Sequence, residues 1–375
     1  MNEVIVIGAG VLGASTAYHL ARMGSNVTLV DGNFKGQATD AAAGIICPWL
    51  SQRRNKTWYT LAKNGAAYFN HLIQLLEEDG ETDTGYKKVG AISIHTDPVK
   101  LQEMEKRALK RREDAPEIGE VYQLNEVETA KLFPPIAEGY SSIFVSGAAR
   151  VNGRALRRAL MGACKNHGVK VITGKADLIY DSGTAKGITV AGERIFADSI
   201  IVSAGAWTNQ LLSPIGIKFD FTFQKGQIIH LQMERTNTNS WPVVMPPGNK
   251  SILAFDHGEI VIGSTHEKNT GFDMRVTAGG VDDILGQVLA VAPGLGNASI
   301  KDIRVGFRPY TPNFLPMFGE IPGYQRLYVA NGLGASGLTV GPYLGYQLAC
   351  FILGKSLEID PSNYDIVGAI KKNMR

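Results

Sequence analysis

Cysteine is scarce in this 375-residue chain: Cys47, Cys164 and Cys350 lie far apart, and no CxxC pair occurs. That argues against a disulfide framework or a cysteine zinc site, so no metal is expected, and it fits a reducing, cytoplasmic compartment. Charge of one sign is also missing. A net charge of +3 is too small to mark a polyanion-binding protein. The basic run Lys106-Arg107 to Lys110-Arg111-Arg112 is interleaved with Glu103, Glu105, Glu113 and Asp114, as on a solvated helix face. No nucleic-acid partner is expected. Apolar runs of membrane-spanning length are lacking too. Leu338 to Leu353 is short and contains Gly, Pro, Tyr and Gln, and Val4 to Ala21 has no basic leader. Stable membrane insertion is not expected, and a homo-oligomer is left open.

Glycine, by contrast, is plentiful, and its placement is informative. Val4-Ile5-Val6-Ile7 runs straight into Gly8-Ala9-Gly10-Val11-Leu12-Gly13. Four apolar residues followed by GxGxxG predict a buried strand turning into a helix. Gly8 and Gly10 let the backbone approach a pyrophosphate, and Gly13 lets the helix pack on the strand. The helix is predicted over about Val11 to Arg22, with a second strand over Asn26–Val30. Asp31 then stands where a carboxylate accepts ribose hydroxyls, with Gly32 beside it. A dinucleotide site follows from this order of elements.

Two domains are expected from the length, in an interleaved α/β arrangement. Segments 1–48, 144–215 and 302–375 are assigned to a nucleotide-binding domain, and 49–143 and 216–301 to a substrate domain. Helices are predicted over Lys63–Glu78, Pro98–Glu113, Glu126–Phe133 and Arg154–His167. Strands are predicted over Ala91–His95, Val169–Thr173, Ser199–Ser203, Gln227–Gln232, Ser251–Phe255 and Ile260–Ser264. The later strands suggest an antiparallel sheet.

Several further runs carry chemistry. Gln37 to Gly44, with Ala38, Thr39 and Ala43, is small enough to let backbone run close to a planar ligand. Gly306 to Pro316 presents Arg308 on a proline-stiffened scaffold, and a guanidinium fork suits a carboxylate. Gly334, Ala335, Ser336, Gly337, Leu338 and Thr339 lead into an apolar helix whose N-terminus offers amide donors and a positive dipole end. Arg53 and Arg54, near Trp58 and Tyr59, are read either as contacts to an anionic substrate or a flavin edge, or as surface charge. His266 either lines the cavity or simply ends a strand. Cys47 is read as a small buried hydrophobe.

Over nearly its whole length the chain resembles the D-amino-acid oxidase superfamily of FAD enzymes, which includes glycine oxidase and sarcosine oxidase. The resemblance rests on Val4–Gly13, Asp31, Thr39–Ile46, Val202–Trp207, Gly306–Pro316 and Asn331–Pro342. It implies a glutathione-reductase-type FAD-binding Rossmann domain and an α+β substrate domain with an antiparallel sheet. The family's carboxylate-binding arginine falls on Arg308, and its flavin-contacting run on Gly334 to Thr339. Further cofactor contacts fall on Gly44, Ile45, Ala204, Gly205 and Trp207, with an adenine contact near Ala176. The substrate tyrosine of glycine oxidase would fall near Ser251, where no tyrosine stands. Asn313 occupies a position where relatives often carry aspartate. Sarcosine oxidase ties its flavin to a cysteine near the position of Arg308; no cysteine lies between Cys164 and Cys350, so non-covalent FAD is expected.

The expected activity is oxidation of the C–N bond of a small amino acid or N-substituted amino acid. A hydride would pass to flavin N5, and the resulting imine would hydrolyse to an oxo acid. Arg308 would hold the carboxylate, assisted by Arg53 or Arg54, and oxygen or another acceptor would take the electrons. Three alternatives stay open: a flavin-dependent 2-hydroxy-acid dehydrogenase, an NAD(P)-dependent enzyme, and a non-catalytic flavin-binding protein.

Overall fold

Strand Glu3–Ile7 is apolar on both faces because both faces are covered. Val4 and Val6 enter one core with the helices, and Ile5 and Ile7 enter another. In a computed structural model describing residues 2–371 this strand sits inside a six-stranded sheet. The sheet order is 317–320, 327–331, 199–202, 3–7, 26–31, 170–173, parallel except for the antiparallel edge strand Met317–Glu320. Helix Val11–Arg22 follows the first strand, as predicted. It ends in a Schellman motif: Gly24, at φ 93°, donates to the Ala21 carbonyl, and Ser25 donates to that of Leu20.

Helices Val11–Arg22 and Gly337–Ile352 pack closely. A Cβ on Gly341 would lie 2.7 Å from Val11 Cγ1, and one on Gly345 would lie 2.7 Å from Ser15 Cβ. Ser15 Oγ donates to the Pro342 carbonyl (2.7 Å). The first glycine turn is therefore buttressed by the second glycine-rich segment's helix.

The second large sheet has eight strands in the order 299–310, 222–232, 259–263, 251–254, 243–245, 91–95, 141–145, 121–124. It is mixed, not purely antiparallel: Val243–Met245 runs parallel to Ala91–His95. One of its faces buries Ile229, Leu231, Ile252, Ile260 and Ile262 against Ile284 and Val288 of helix Ala278–Val291. The other face meets the cavity described below.

The boundaries expected at 143/144 and 301/302 fall inside strands Ser141–Val145 and Ser299–Tyr310 of this sheet. The second strand pairs along Thr222–Gln232, so Arg308 stands on the eight-stranded sheet. Of the expected segment 302–375, residues 372–375 lie outside the described residues, as does residue 1 of segment 1–48. The helix predicted from Lys63 begins at Lys56, where Asn55 accepts from the Trp58 N–H (2.8 Å). A three-stranded meander over Ala176–Phe196 is absent from the sequence reading.

Candidate active site

One long cavity runs between the two sheets. At its nucleotide end it is lined by Gly8, Gly10, Val11, Leu12, Asp31, Gly32, Ala38, Thr39, Ala43, Gly44, Ile45 and Ala176. Ala204, Gly205, Trp207, Gly334, Ala335, Gly337, Leu338 and Thr339 line it further along. Arg308 and His266 line its far end. Two residues expected at the cofactor do not line it. A Cβ on Gly13 would strike the Gly8 carbonyl, so this glycine serves packing. Ser336 instead accepts from Trp58 Nε1 (3.0 Å).

Glycine has distinct causes within the turn. Gly8 has φ 104°, and a Cβ there would lie 2.5 Å from the Ser203 carbonyl oxygen. A Cβ on Gly10 would meet only Thr39 Oγ1 within 4 Å, at 3.4 Å, and one on Gly337 only Leu333 Cβ, at 3.8 Å. Packing demands glycine at neither position. Both line the cavity, and their missing side chains leave room for a ligand's closest approach at a helix N-terminus. This cradle fits a dinucleotide.

Asp31 organises the cradle. Its carboxylate accepts from the Ala9 N–H (2.6 Å), the Asn33 N–H (2.6 Å) and Gln37 Nε2 (2.8 Å). Arg157, which the sequence reading missed, donates from Nε to the Ala9 carbonyl (2.7 Å) and pairs with Asp31 (3.5 Å) and Asp40 (3.3 Å). On its amphipathic helix, Gly153–Asn166, nothing in the sequence separates it from the neighbouring Arg154 and Arg158.

Strand alternation builds the far end. Gly226 and Ile228 on one strand, Gly306 and Arg308 on the next, and Ser251 and Gly263 on two others all face the cavity. The Arg308 guanidinium lies over Gly226, where a Cβ would come within 2.5 Å of Nη2. Nη1 donates to the Thr265 carbonyl (3.2 Å) and to His266 Nδ1 (3.2 Å), and Nη2 donates to Ser264 Oγ. Among the described residues Arg308 is in no ion pair, and burial pushes its pKa down from the usual arginine range. An unpaired, desolvated guanidinium facing a cavity is a strong anion site.

Burial, then the nearby charges of Arg308 and Lys250, lower the His266 imidazole to about 4. It is therefore neutral near pH 7. Because Nδ1 accepts from Arg308, the ring proton sits on Nε2. Lys250, also missed, is buried behind the site and donates to the Ser264 carbonyl (3.2 Å) and to Asp283 (2.7 Å).

Neither Arg53 nor Arg54, expected to assist Arg308, lines this cavity. Arg53 lies over the Trp58 ring (4.7 Å to the centroid) and donates to the Phe314 carbonyl (2.5 Å). Arg54 is exposed in a separate cleft. Cys47 is buried, as expected.

The cavity thus has a cradle that fits a dinucleotide at one end and a cation in no ion pair among the described residues at the other. The protein is an FAD-dependent oxidoreductase: residues 3–350 match the family described as "DAO: FAD dependent oxidoreductase", and the chain belongs to it. It is 58 % identical over 371 residues to the uncharacterized oxidoreductase YurR of Bacillus subtilis, covering 99 % of this chain and 100 % of the relative. Iminodiacetate oxidase (IdaA) from Chelativorans sp. BNC1 has a similar structure, with a TM-score of 0.94 and 42 % identity over 97 % of this chain and 98 % of that one. Glycine oxidase of Pseudomonas aeruginosa is 27 % identical, covering 98 % of this chain and 100 % of the relative.

None of the three cysteines, all buried, lines the cavity, so FAD is held without a cysteine link. Acid precipitation should leave the yellow chromophore in the supernatant, read by absorbance. Colour kept in the pellet would reveal a covalent bond. Among the described residues no helix is long and apolar enough to cross a membrane.

Proposed function

We propose that this chain oxidises the C–N bond of a small amino acid or N-substituted amino acid whose carboxylate is held by Arg308. The observation that carries this reading is the unpaired guanidinium at the end of the cofactor cavity. Its Nη1 and Nη2 are steadied by Thr265, His266 and Ser264, so the fork is oriented before a ligand arrives. The glycine turns would hold the FAD, with Gly8 and Gly10 at the pyrophosphate and the N-terminus of helix Gly337–Ile352 offering its amides. FAD, when bound, supplies the hydride acceptor. The protein's part is to place the α-carbon and exclude water.

The substrate amine reacts as the neutral amine, and no protein base is assigned. The Cα–H bond breaks with its electron pair, a C=N bond forms, and water then hydrolyses the imine to an oxo acid and an amine. The similarity to iminodiacetate oxidase favours a secondary amine.

The test is anaerobic flavin reduction by a panel of D-, L- and N-methyl amino acids, iminodiacetate and 2-hydroxy acids. Amino compounds should bleach the flavin band. Bleaching by hydroxy acids alone would overturn the reading in favour of a hydroxy-acid dehydrogenase, and no bleaching by any carboxylate would favour a non-catalytic flavoprotein. Admitting air then shows whether oxygen or another acceptor takes the electrons.

A further inference from the structure

Outside the flavin cavity, five cations crowd one cleft. Arg53, Arg54, Lys56, Arg107 and Arg111 line it, and Glu103 is its one carboxylate among the described residues. Glu103 is engaged by Lys100 Nζ (3.0 Å). None of the five cations is in an ion pair among the described residues, although the chain as a whole carries a charge of only +3.

Three of these guanidiniums are partly withdrawn from water, and burial lowers the pKa of Arg53, Arg107 and Arg111. Arg107 Nε is buried without any hydrogen-bond partner. Arg111 lies over the Tyr59 ring (4.4 Å to the centroid) and donates to the Trp49 and Ser51 carbonyls (2.5 and 2.7 Å). Such contacts fix the guanidiniums in place without neutralising them. Glu103 and Asp114 offset only part of this positive charge; partly desolvating several like charges is costly, and an incoming anion relieves that cost.

The cleft leads somewhere. Arg53 and Asn55 also line a second cavity, together with Tyr310 and the turn Leu333-Gly334-Ala335. That turn in turn lines the flavin cavity. Tyr310 packs on Gly334 and neighbours both Arg53 and Arg308. Arg53, Tyr310 and the Leu333–Ala335 turn thus link the cationic cleft to the cavity that holds Arg308.

We infer that this cleft is a capture site for the carboxylate substrate, drawing it in from solution and passing it beside Tyr310 to Arg308. The inference rests on the reading that the substrate carries a carboxylate. Clefts lined by one sign of charge raise association rates by about 10- to 10³-fold, and salt screens the effect.

The experiment is stopped-flow binding of glycolate, a carboxylate without an amine, to the FAD-loaded enzyme, followed by the flavin absorbance. It compares wild type with Arg54→Glu/Lys56→Glu, both exposed positions, and with Arg107→Gln. For wild type, the association rate constant should fall about tenfold between roughly 10 mM and 0.3 M salt. In Arg54→Glu/Lys56→Glu it should already be low at low salt and nearly independent of salt, with the dissociation rate little changed. Arg107→Gln should fall between the two. Equal salt slopes in wild type and in both variants, with binding otherwise normal, would overturn the capture site alone. No flavin perturbation by glycolate in wild type would overturn the carboxylate reading and the capture site with it.

Discussion

Arg308→Ala should weaken carboxylate ligands by about 10²-fold or more while the protein keeps most of its flavin. Hydrogen bonds to charged groups contribute roughly 1.5–3 kcal/mol each, and about 1.4 kcal/mol changes a dissociation constant tenfold. Two such bonds from one fork give the expected loss. No carboxylate of the described protein pairs with this guanidinium, so removing it strands no buried partner charge. Arg308→Lys keeps the charge and loses the planar fork, and should remain impaired. Gly226→Ala makes the complementary test, because its methyl would stand 2.5 Å from Nη2 and push an intact arginine aside. Titrating the flavin spectrum with glycolate reads all three variants. Equal dissociation constants for wild type and Arg308→Ala would remove Arg308 from the site and return Arg53 to consideration.

Asp31→Ala should release FAD, with an affinity loss of about 10²-fold. The carboxylate receives the Ala9 N–H, the Asn33 N–H and Gln37 at 2.6 to 2.8 Å. Its loss frees the glycine turn from the end of the second strand and leaves Arg157 one acid short, with Asp40 remaining. Charge-assisted bonds of this kind are worth roughly 1.5–3 kcal/mol each. Enzyme that still retains FAD should be reduced by substrate at nearly the wild-type rate, since Asp31 stands at the nucleotide end and Arg308 at the other. Fluorescence titration of the apoprotein with FAD measures the loss. An unchanged dissociation constant would deny Asp31 any part in cofactor binding.

The two ends of the site differed in how readily the sequence disclosed them. Strand, glycine turn, helix, strand and acid follow one another within about thirty residues, and local order determines them. Arg308 was legible because its proline-rich setting resembles a known pattern. Its assignment to the nucleotide fold failed because Ser299–Tyr310 is mostly polar along its first half and shows its partner only in the sheet. Arg53 and Arg54 lie next to each other in sequence and near two aromatics, yet adjacency does not reveal which cavity a side chain enters. Lys250, Tyr310 and Arg157 reach the site region through tertiary packing alone. The meander over Ala176–Phe196 did leave a signal. Ser182-Gly183 and Ala191-Gly192 all take positive φ, as two-residue hairpin turns require, and Ser-Gly is a readable mark of one.

The close pairing of helices Val11–Arg22 and Gly337–Ile352 bears on how the protein is made. The bond from Ser15 Oγ to the Pro342 carbonyl joins residues 327 positions apart. At about 5–20 residues per second, a ribosome needs roughly 15–65 s between them. Throughout that interval the flank of the first helix that carries Val11, Ser15 and His19 lacks its eventual cover. A nascent chain arrested before the last helix would expose that flank to chaperones, and it could not complete the cofactor cradle. Flavin capture therefore awaits synthesis of the segment that carries Gly334 to Thr339.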